Sequence, residues 1–270
     1  MQTEPRQSLS TSLWQCDDCH DMGLRYARIG ETITHRSYDG TVSHIIIDAT
    51  TASMFTIPCD TCARLRIERE RIKFQDISEL TSDERAYRFG SIVINGRENT
   101  AAMVAACREM VGRKASMLTF WGSSGNAKSV ALIATVNEFL DKGVPALYMP
   151  SYDMLNWIQD AFSNHGQDIK SESAYARLEM CKGICVLAVD ELQGVKVTDW
   201  RLEQLRNLID RRWRDGLDGE KFTLFAMNES PDNLEPRIYS RLKDGRNRVN
   251  GSAILLNDDS DMRPLLRRTA

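Results

Sequence analysis

Apolar residues in the C-terminal two thirds of the chain fall into short unbroken runs separated by amphipathic stretches. Four runs predict buried strands, at 117–121, 146–149, 184–189 and 222–227. Apolar positions at helical spacing predict helices at 99–112, 128–141, 151–163, 172–182 and 200–214. Strands and helices that alternate in this way are typical of a parallel sheet with helices on both faces, so we predict an α/β fold with αβα layers.

The N-terminal part of the chain has a different pattern. Runs with β character at 24–29, 32–38 and 42–48 predict strands, and Asp39-Gly40 predicts a hairpin turn between the last two. The charged stretch 64–73 predicts a helix with a solvated face, and a nucleic-acid or partner contact is the alternative. We therefore expect a small domain at 1–73, a polar linker at 74–98 and a larger domain at 99–270.

Composition supports a folded protein. The chain has 270 residues, of which 42% are hydrophobic and 27% charged, enough for one or two domains with a core. The longest apolar run is seven residues, Ala101 to Cys107, whereas a membrane helix needs about 20. The first fifteen residues lack the apolar stretch of a secretory signal. We expect a cytoplasmic protein with no membrane partner.

Cysteine spacing indicates a metal site. Seven cysteines are an odd number, which argues against a disulfide framework. Four of them form two Cys-x-x-Cys pairs, Cys16 with Cys19 and Cys59 with Cys62, which could hold one structural Zn²⁺ through four thiolates. The 39 residues between the pairs exceed the usual spacing, which an inserted hairpin would explain. Redox-active pairs are the alternative, although no βαβ unit is predicted around either one.

The segment between the first buried strand and the next helix has the pattern of a phosphate-binding loop. It consists of Gly122, Ser123, Ser124, Gly125, Asn126, Ala127, Lys128 and Ser129. Backbone N–H groups and the helix N-terminus would cradle the phosphates of ATP, Lys128 would neutralise their charge, and the Ser129 hydroxyl would ligate Mg²⁺. Ala127 stands where the pattern has glycine, so a degenerate, weakly binding loop is the alternative.

Polar residues follow two later strands. The run 184–189 leads into Asp190-Glu191, a Walker B pattern in which Asp190 would hold Mg²⁺ through water and Glu191 would orient the attacking water. The run 222–227 leads into Asn228, whose amide could bind that water or the γ-phosphate, or could cap the following turn. Arg237 and Arg241 share one face of a predicted helix. They could stabilise charge on a transferred phosphoryl group, or they could simply pair with local acids.

Taken together, these motifs resemble AAA+ ATPases, and over roughly 14–265 the chain is similar to DnaC-type replicative helicase loaders of the phage and prophage branch. The more particular matching segments are 99–102, 143–148, 152–155 and 261–264, and the Cys-x-x-Cys-x-Asp-x-Gly start at Cys16. The resemblance implies an AAA+ domain without a helical lid, preceded by a small zinc-binding domain. It also implies that Asn228 is sensor 1 and that Arg237 and Arg241 supply an arginine finger to a neighbouring copy in a homo-oligomer.

The same resemblance implies a function. A DnaC-type loader would hydrolyse ATP with stimulation by single-stranded DNA, and would deliver a hexameric DnaB-type replicative helicase onto single-stranded DNA during replication initiation. Residues 1–73 would dock on the helicase, and Lys243 and Arg246 are candidates for DNA phosphate contacts. An IstB-type transposition helper and a non-hydrolysing nucleotide-gated adaptor remain alternatives. A zinc-dependent duplex-DNA regulator is a third, which the net charge of −3 disfavours.

Overall fold

The computed structural model describes residues 16, 18–20, 22–36, 42–52, 56–163, 174–192 and 198–262. The predicted Asp39-Gly40 turn and the last two residues of the matching segment 261–264 lie outside this part of the chain. The protein divides into two compact units, Met1–Arg69 and Glu70–Ala270. The boundaries drawn from the sequence, at residues 73 and 98, stay predictions.

Two antiparallel strand pairs make up the β structure of the first unit. Strand β1 (Leu24–Tyr26) pairs with β4 (Thr56–Pro58), and β2 (Thr32–Arg36) pairs with β3 (Val42–Ile46). The helix α1 (Asp60–Ile77) begins two residues after β4 and is longer than the predicted helix. The sequence did not predict β4, because three residues are too few for a period-2 pattern.

The second unit contains a five-stranded parallel sheet. Its strands are β5 (Met117–Trp121), β6 (Ala146–Pro150), β7 (Val186–Asp190), β8 (Phe222–Met227) and β9 (Ile254–Leu256). Their order across the sheet is β6-β7-β8-β5-β9, and every neighbouring pair is parallel. Because β8 lies between β5 and β7, the segments that follow these three strands emerge side by side at the carboxyl edge of the sheet.

Helices cover both faces of this sheet. They are α2 (Ser82–Arg85), α3 (Glu98–Val111), α4 (Lys128–Asp141), α5 (Ser151–Ser163), α6 (Ala174–Gly183), α7 (Asp199–Leu217) and α8 (Pro236–Leu242). Side chains alternate along β8: Phe222 and Leu224 join the core with α3 and α4, whereas Phe225 and Met227 join the core with α5 and α7. The predicted αβα arrangement is confirmed.

Residues 74–98 belong to the second unit despite their polar composition. Phe89 and Ile92 are buried in the same core as α3 and α4. The buried Asn137 of α4 accepts a hydrogen bond from Gln75 (2.9 Å) and donates to the main-chain oxygen of Glu84 (2.9 Å). A few buried apolar residues and the hydrogen bonds of Asn137 therefore hold this segment against α3 and α4. Such isolated contacts produce no periodic pattern in the sequence.

Two further observations concern the described helices. Among the residues described after β9, up to Met262, none is helical. None of the helices that the structure describes is both long and apolar enough to cross a bilayer.

Candidate functional site

The phosphate-loop segment connects β5 to α4 through residues with positive φ angles: +129° at Gly122, +81° at Gly125 and +69° at Ala127. A Cβ atom on Gly122 would overlap the backbone of Asn257, and one on Gly125 would overlap the carboxylate of Asp261. Glycine is therefore required at both positions. Ala127 adopts the same left-handed region with a side chain, which costs about 1 kcal/mol.

Lys128 lies inside this loop and is 6% exposed. Its Nζ donates to the main-chain oxygens of Gly122 (2.7 Å) and Ser123 (2.6 Å) and to Oδ1 of Asn126 (3.0 Å). Burial lowers the pKa of Lys128 to about 8, while the charge of Asp190 acts in the opposite direction. A cation and the N-terminus of a long helix thus meet at one point, which is an arrangement that binds phosphate.

Asp190, the last residue of β7, is 5% exposed and held on both carboxylate oxygens. Oδ1 accepts from the backbone N–H of Glu191 (2.8 Å), and Oδ2 accepts from the hydroxyl of Tyr148 on β6 (2.8 Å). Burial and the charge of Asp190 raise the pKa of Tyr148 far above its ordinary value. The neighbouring Glu191 is exposed and has a φ of +51°, a strained backbone of the kind that collects at functional sites.

One cavity of about 310 Å³ brings most of the predicted nucleotide residues together, whereas Gly122 and Ser123 are not part of its lining. Its lining comprises Ser124, Gly125, Asn126, Ala127, Lys128, Ser129, Val130, Asp190, Glu191, Asn228 and Met262. Asn228 lies between the loop and the acidic pair because its strand, β8, lies between theirs. The residues fit ATP with Mg²⁺: the buried cation of Lys128 would bind the phosphates, a carboxylate and a hydroxyl could hold the metal, and the exposed Glu191 and Asn228 are accessible to water.

Arg237 and Arg241 do not line this cavity. Both lie on α8 and donate to Asp210 of α7, Arg237 through Nη2 and Arg241 through Nε (2.9 Å). The Arg241 guanidinium also stacks on the ring of Trp213, 4.0 Å from its centroid. Burial opposes ionisation of Asp210, but the two arginines outweigh it and lower the pKa of that carboxyl. Within one chain, therefore, the two arginines pair with a local acid.

The segment 257–262 lies against the phosphate loop. The sequence singles out 261–264 only as a matching segment, and it does not predict this packing. The backbone N–H of Met262 donates to the oxygen of Gly125 (2.8 Å). The carboxylate of Asp259 accepts from the backbone N–H (2.7 Å) and the hydroxyl (2.6 Å) of Thr100 in the first turn of α3. A polar segment near the end of the chain carries no periodic signal, so only the folded structure shows its position.

In the first unit, the four predicted metal ligands come together, with all their sulfur atoms within 4.8 Å of one another. Sγ–Sγ distances are 3.6 Å for Cys16–Cys59, 3.7 Å for Cys16–Cys19 and 3.2 Å for Cys19–Cys62. A disulfide needs about 2.05 Å. Four sulfurs placed tetrahedrally about 2.3 Å from one zinc ion are about 3.8 Å apart. The cluster is therefore compatible with zinc and not with disulfides.

Local structure explains why the two pairs meet. The pairing of β1 with β4 places Gly23 beside Cys59, whose backbone N–H donates to the Gly23 oxygen (2.9 Å). The backbone N–H of Cys62 lowers the pKa of Cys59 to about 7, whereas the thiol of Cys19 raises that of Cys62 to about 12. A divalent cation binds cysteine as the thiolate. Metal binding would therefore release the protons that these thiols carry.

Comparisons with known proteins agree with this architecture. No protein-family model and no curated protein sequence matches the chain. Among solved structures, domain III of the Thermotoga maritima replication initiation protein DnaA matches with 16% identity and a TM-score of 0.52, over 66% of this chain and 68% of that one. The DnaC helicase loader matches with 18% identity and a TM-score of 0.51, over 66% of this chain and 100% of that one.

A third match is the replication initiator DnaA bound to AMPPCP and single-stranded DNA, with 16% identity and a TM-score of 0.51. This chain spans about half the length of that initiator, 50%. Identities this low show the fold alone. The larger unit has the fold of AAA+ ATPase domains, as predicted. In particular, the protein is structurally similar to a DnaC helicase loader and to the AAA+ domain of DnaA.

Proposed function

We propose that this protein is an ATP-dependent loader that binds a hexameric DnaB-type replicative helicase and delivers it onto single-stranded DNA during replication initiation. The observation that carries the proposal is the cavity in which Lys128, Asp190, Glu191 and Asn228 converge within an AAA+ fold. The loader role is proposed because the chain has the same fold as a DnaC helicase loader, whose structure it matches over its whole length.

The proposed chemistry is ATP hydrolysis, for which Mg²⁺ would neutralise phosphate charge and orient the transferred group. Lys128 would bind the phosphates, and Ser129 and Asp190 would hold the metal. Glu191 and Asn228 would orient the attacking water, because both are exposed at the rim of the same cavity. Asp190 is held by two hydrogen bonds and Glu191 is not buried, which suits a fixed metal carboxylate and an accessible base.

A homo-oligomer on the helicase ring is part of the proposal. Arg237 and Arg241 lie on α8, outside the cavity of their own chain. An arginine finger from this helix would therefore act on the nucleotide of a neighbouring copy, and it would first have to leave Asp210.

Partner contacts are proposed on both units. The first unit exposes large apolar side chains, among them Leu24 and Tyr26 on β1 and Ile46 on β3, with exposures of 50%, 65% and 72%. Their burial by a helicase would supply docking energy. In the second unit Arg246 is paired with Asp244, whereas Lys243 is exposed beside Tyr239. A DNA strand would gain most from Lys243, since Arg246 already has a carboxylate partner.

The test is co-purification of the host's replicative helicase with this protein in the presence of ATP, ADP or no nucleotide. We expect a stable complex whose yield depends on the nucleotide, and we expect Lys128→Ala to remove that dependence. The matched control is Lys142→Ala, an exposed lysine after the last turn of the same helix. Absence of a complex in every state would contradict the loader role, and the transposition helper would replace it.

A second experiment tests hydrolysis in trans. Arg241→Ala and Glu191→Gln should each lose ATP turnover stimulated by single-stranded DNA, and a mixture of the two should recover part of it. The control is Arg211→Ala, because Arg211 is an exposed arginine paired with Asp215 of its own helix. Stable helicase binding without any turnover in the wild type would instead favour the non-hydrolysing adaptor.

A further inference from the structure

Tyr148 makes a contact that the general AAA+ chemistry described above does not use. Its hydroxyl donates to Oδ2 of Asp190 at 2.8 Å. The other oxygen of that carboxylate accepts a local bond, from the backbone N–H of the next residue. Tyr148 is therefore a side chain from a neighbouring strand that helps to fix the orientation of this carboxylate.

The sheet explains how the tyrosine reaches the carboxylate. Strands β6 and β7 are parallel neighbours in which Tyr148 pairs with Ala188 and Pro150 pairs with Asp190. Tyr148 and Asp190 are thus diagonal neighbours on one face of the sheet, within reach of an aromatic side chain. A smaller residue at position 148 could not bridge this diagonal.

Tyr148 is itself held in place. Strand β6 is at the edge of the sheet, and the backbone N–H of Tyr148 donates to the hydroxyl of Ser78 at 3.0 Å. Ser78 is 7% exposed, and the ring of Tyr148 packs against the core that contains α4. The hydroxyl is therefore presented to Asp190 by a rigid support.

We propose that Tyr148 is a positioning residue for Asp190, the carboxylate that would hold Mg²⁺ when ATP is bound. The hydrogen bond from Tyr148 to Oδ2 fixes the orientation of the carboxylate, and therefore the directions of the lone pairs that remain for the metal. This proposal rests on the proposed nucleotide site. A carboxylate has about four lone-pair directions. With one oxygen tied to Tyr148 and the other to the backbone, the carboxylate cannot rotate away from the phosphate loop.

The experiment measures binding of a fluorescent ATP analogue with Mg²⁺ and with EDTA, in the wild type, Tyr148→Phe and Tyr148→Met. Tyr148→Phe removes only the hydroxyl donor, whereas Tyr148→Met also replaces the ring with a flexible apolar side chain. The matched control is Tyr152→Phe, because Tyr152 is an exposed tyrosine on α5 that does not line the nucleotide cavity. Asp190→Asn provides the reference for loss of the metal carboxylate.

We expect affinity in EDTA to be unchanged in the Tyr148 variants, and the Mg²⁺ concentration for half-maximal tightening to rise about tenfold. Tyr148→Phe should add nothing further in the Asp190→Asn background. Wild-type Mg²⁺ dependence in both Tyr148 variants would overturn the proposal, and so would an equal loss with and without Mg²⁺. A wild type that does not bind the analogue at all would instead overturn the nucleotide site itself.

Discussion

Asn126 and Asn257 lie 131 residues apart and exchange hydrogen bonds in both directions. The side-chain amide of Asn126 donates to the main-chain oxygen of Asn257, and the side-chain amide of Asn257 donates to the main-chain oxygen of Asn126 at 2.9 Å. Both residues are fully buried. The conformation of the phosphate loop therefore depends on the residue that follows β9, and these two distant segments of the second unit are linked at its candidate nucleotide site.

Removal of the Asn257 amide should weaken both the fold and nucleotide binding. In Asn257→Ala the buried oxygen of Asn126 loses its donor, so we expect the free energy of unfolding to fall by about 1–3 kcal/mol. We expect a lower ATP affinity as well, because the loop loses a support. Denaturant unfolding and nucleotide titration measure the two effects. Asn250→Ala, at an exposed position, is the control, and equal behaviour of the two variants would contradict the linkage.

Ala127→Gly should stabilise the protein. The φ of +69° at Ala127 is unfavourable for a residue with a Cβ atom and costs nothing extra for glycine. We expect a gain of about 0.5–1 kcal/mol in the free energy of unfolding. Ala131→Gly in the interior of α4 should have the opposite sign, because glycine weakens a helix by about 1 kcal/mol. A loss of stability in Ala127→Gly would show that the alanine methyl makes packing contacts worth more than the strain.

Arg212 should be among the most sensitive positions of the second unit. It is 1% exposed and donates to main-chain oxygens at the end of α6 and at the starts of β7 and β8. Those acceptors are Cys181, Lys182, Ile184, Cys185 and Phe222. Arg212→Met removes the guanidinium donor from all five, of which the Cys185 oxygen still accepts from the backbone N–H of Phe222. We expect a loss of more than about 3 kcal/mol in the free energy of unfolding.

The neighbouring Arg211 is the control for that prediction. Its side chain is 58% exposed and forms a surface ion pair with Asp215. Arg211→Met should change the free energy of unfolding by less than about 1 kcal/mol. Similar losses in the two variants, measured by urea unfolding, would show that the buried hydrogen bonds of Arg212 do not hold α6, β7 and β8 together.

Metal removal should affect the first unit selectively. We expect about one zinc per chain, loss of that zinc in Cys59→Ser, and melting of β1 to β4 after chelation, since so small a unit gains much of its stability from the ion. Cys185→Ser is the control, because Cys185 is half-buried on the second unit, outside the cluster. Metal analysis and circular dichroism are the measurements. A metal-free protein whose first unit remained folded would contradict the four-thiolate site.

Asp244 should titrate at an unusually low pH. Arg246 beside it lowers the pKa of this carboxyl from an ordinary 3.8 to about 2. Because the folded pKa is lowered, the pair stabilises the fold above about pH 4, and this contribution is lost as the pH falls through about 2. Carbon-detected NMR of Asp244 should show the low midpoint, and Arg246→Gln should raise it towards 4. An ordinary midpoint in the wild type would mean that the pair does not form in solution.

Much of the larger unit could be predicted locally. Strands β5 and β8 and helices α4 and α5 have the predicted bounds, because long apolar runs and helical periodicity are properties of neighbouring residues. The phosphate-loop segment was equally visible, since its glycines and lysine are adjacent in the chain. The spacing of the cysteines predicted that the two pairs form one site. It did not predict the pairing of β1 with β4 that brings them together.

Other features depended on residues far apart in the chain. Only the sheet order places Asn228 between the phosphate loop and Asp190, and only the adjacency of β6 and β7 brings Tyr148 to that carboxylate. The role of Asp210 as partner of both Arg237 and Arg241 requires the packing of α7 against α8.

The sequence by itself therefore determined the kind of fold, the phosphate-loop segment and the four thiols, because periodicity and short-range spacing encode them. Tertiary structure alone decided which strands are neighbours, which carboxylate each arginine meets and how Asn257 closes on Asn126. The physical reason is that a hydrogen bond between distant residues depends on the packing of the whole sheet, and no short stretch of sequence contains that information.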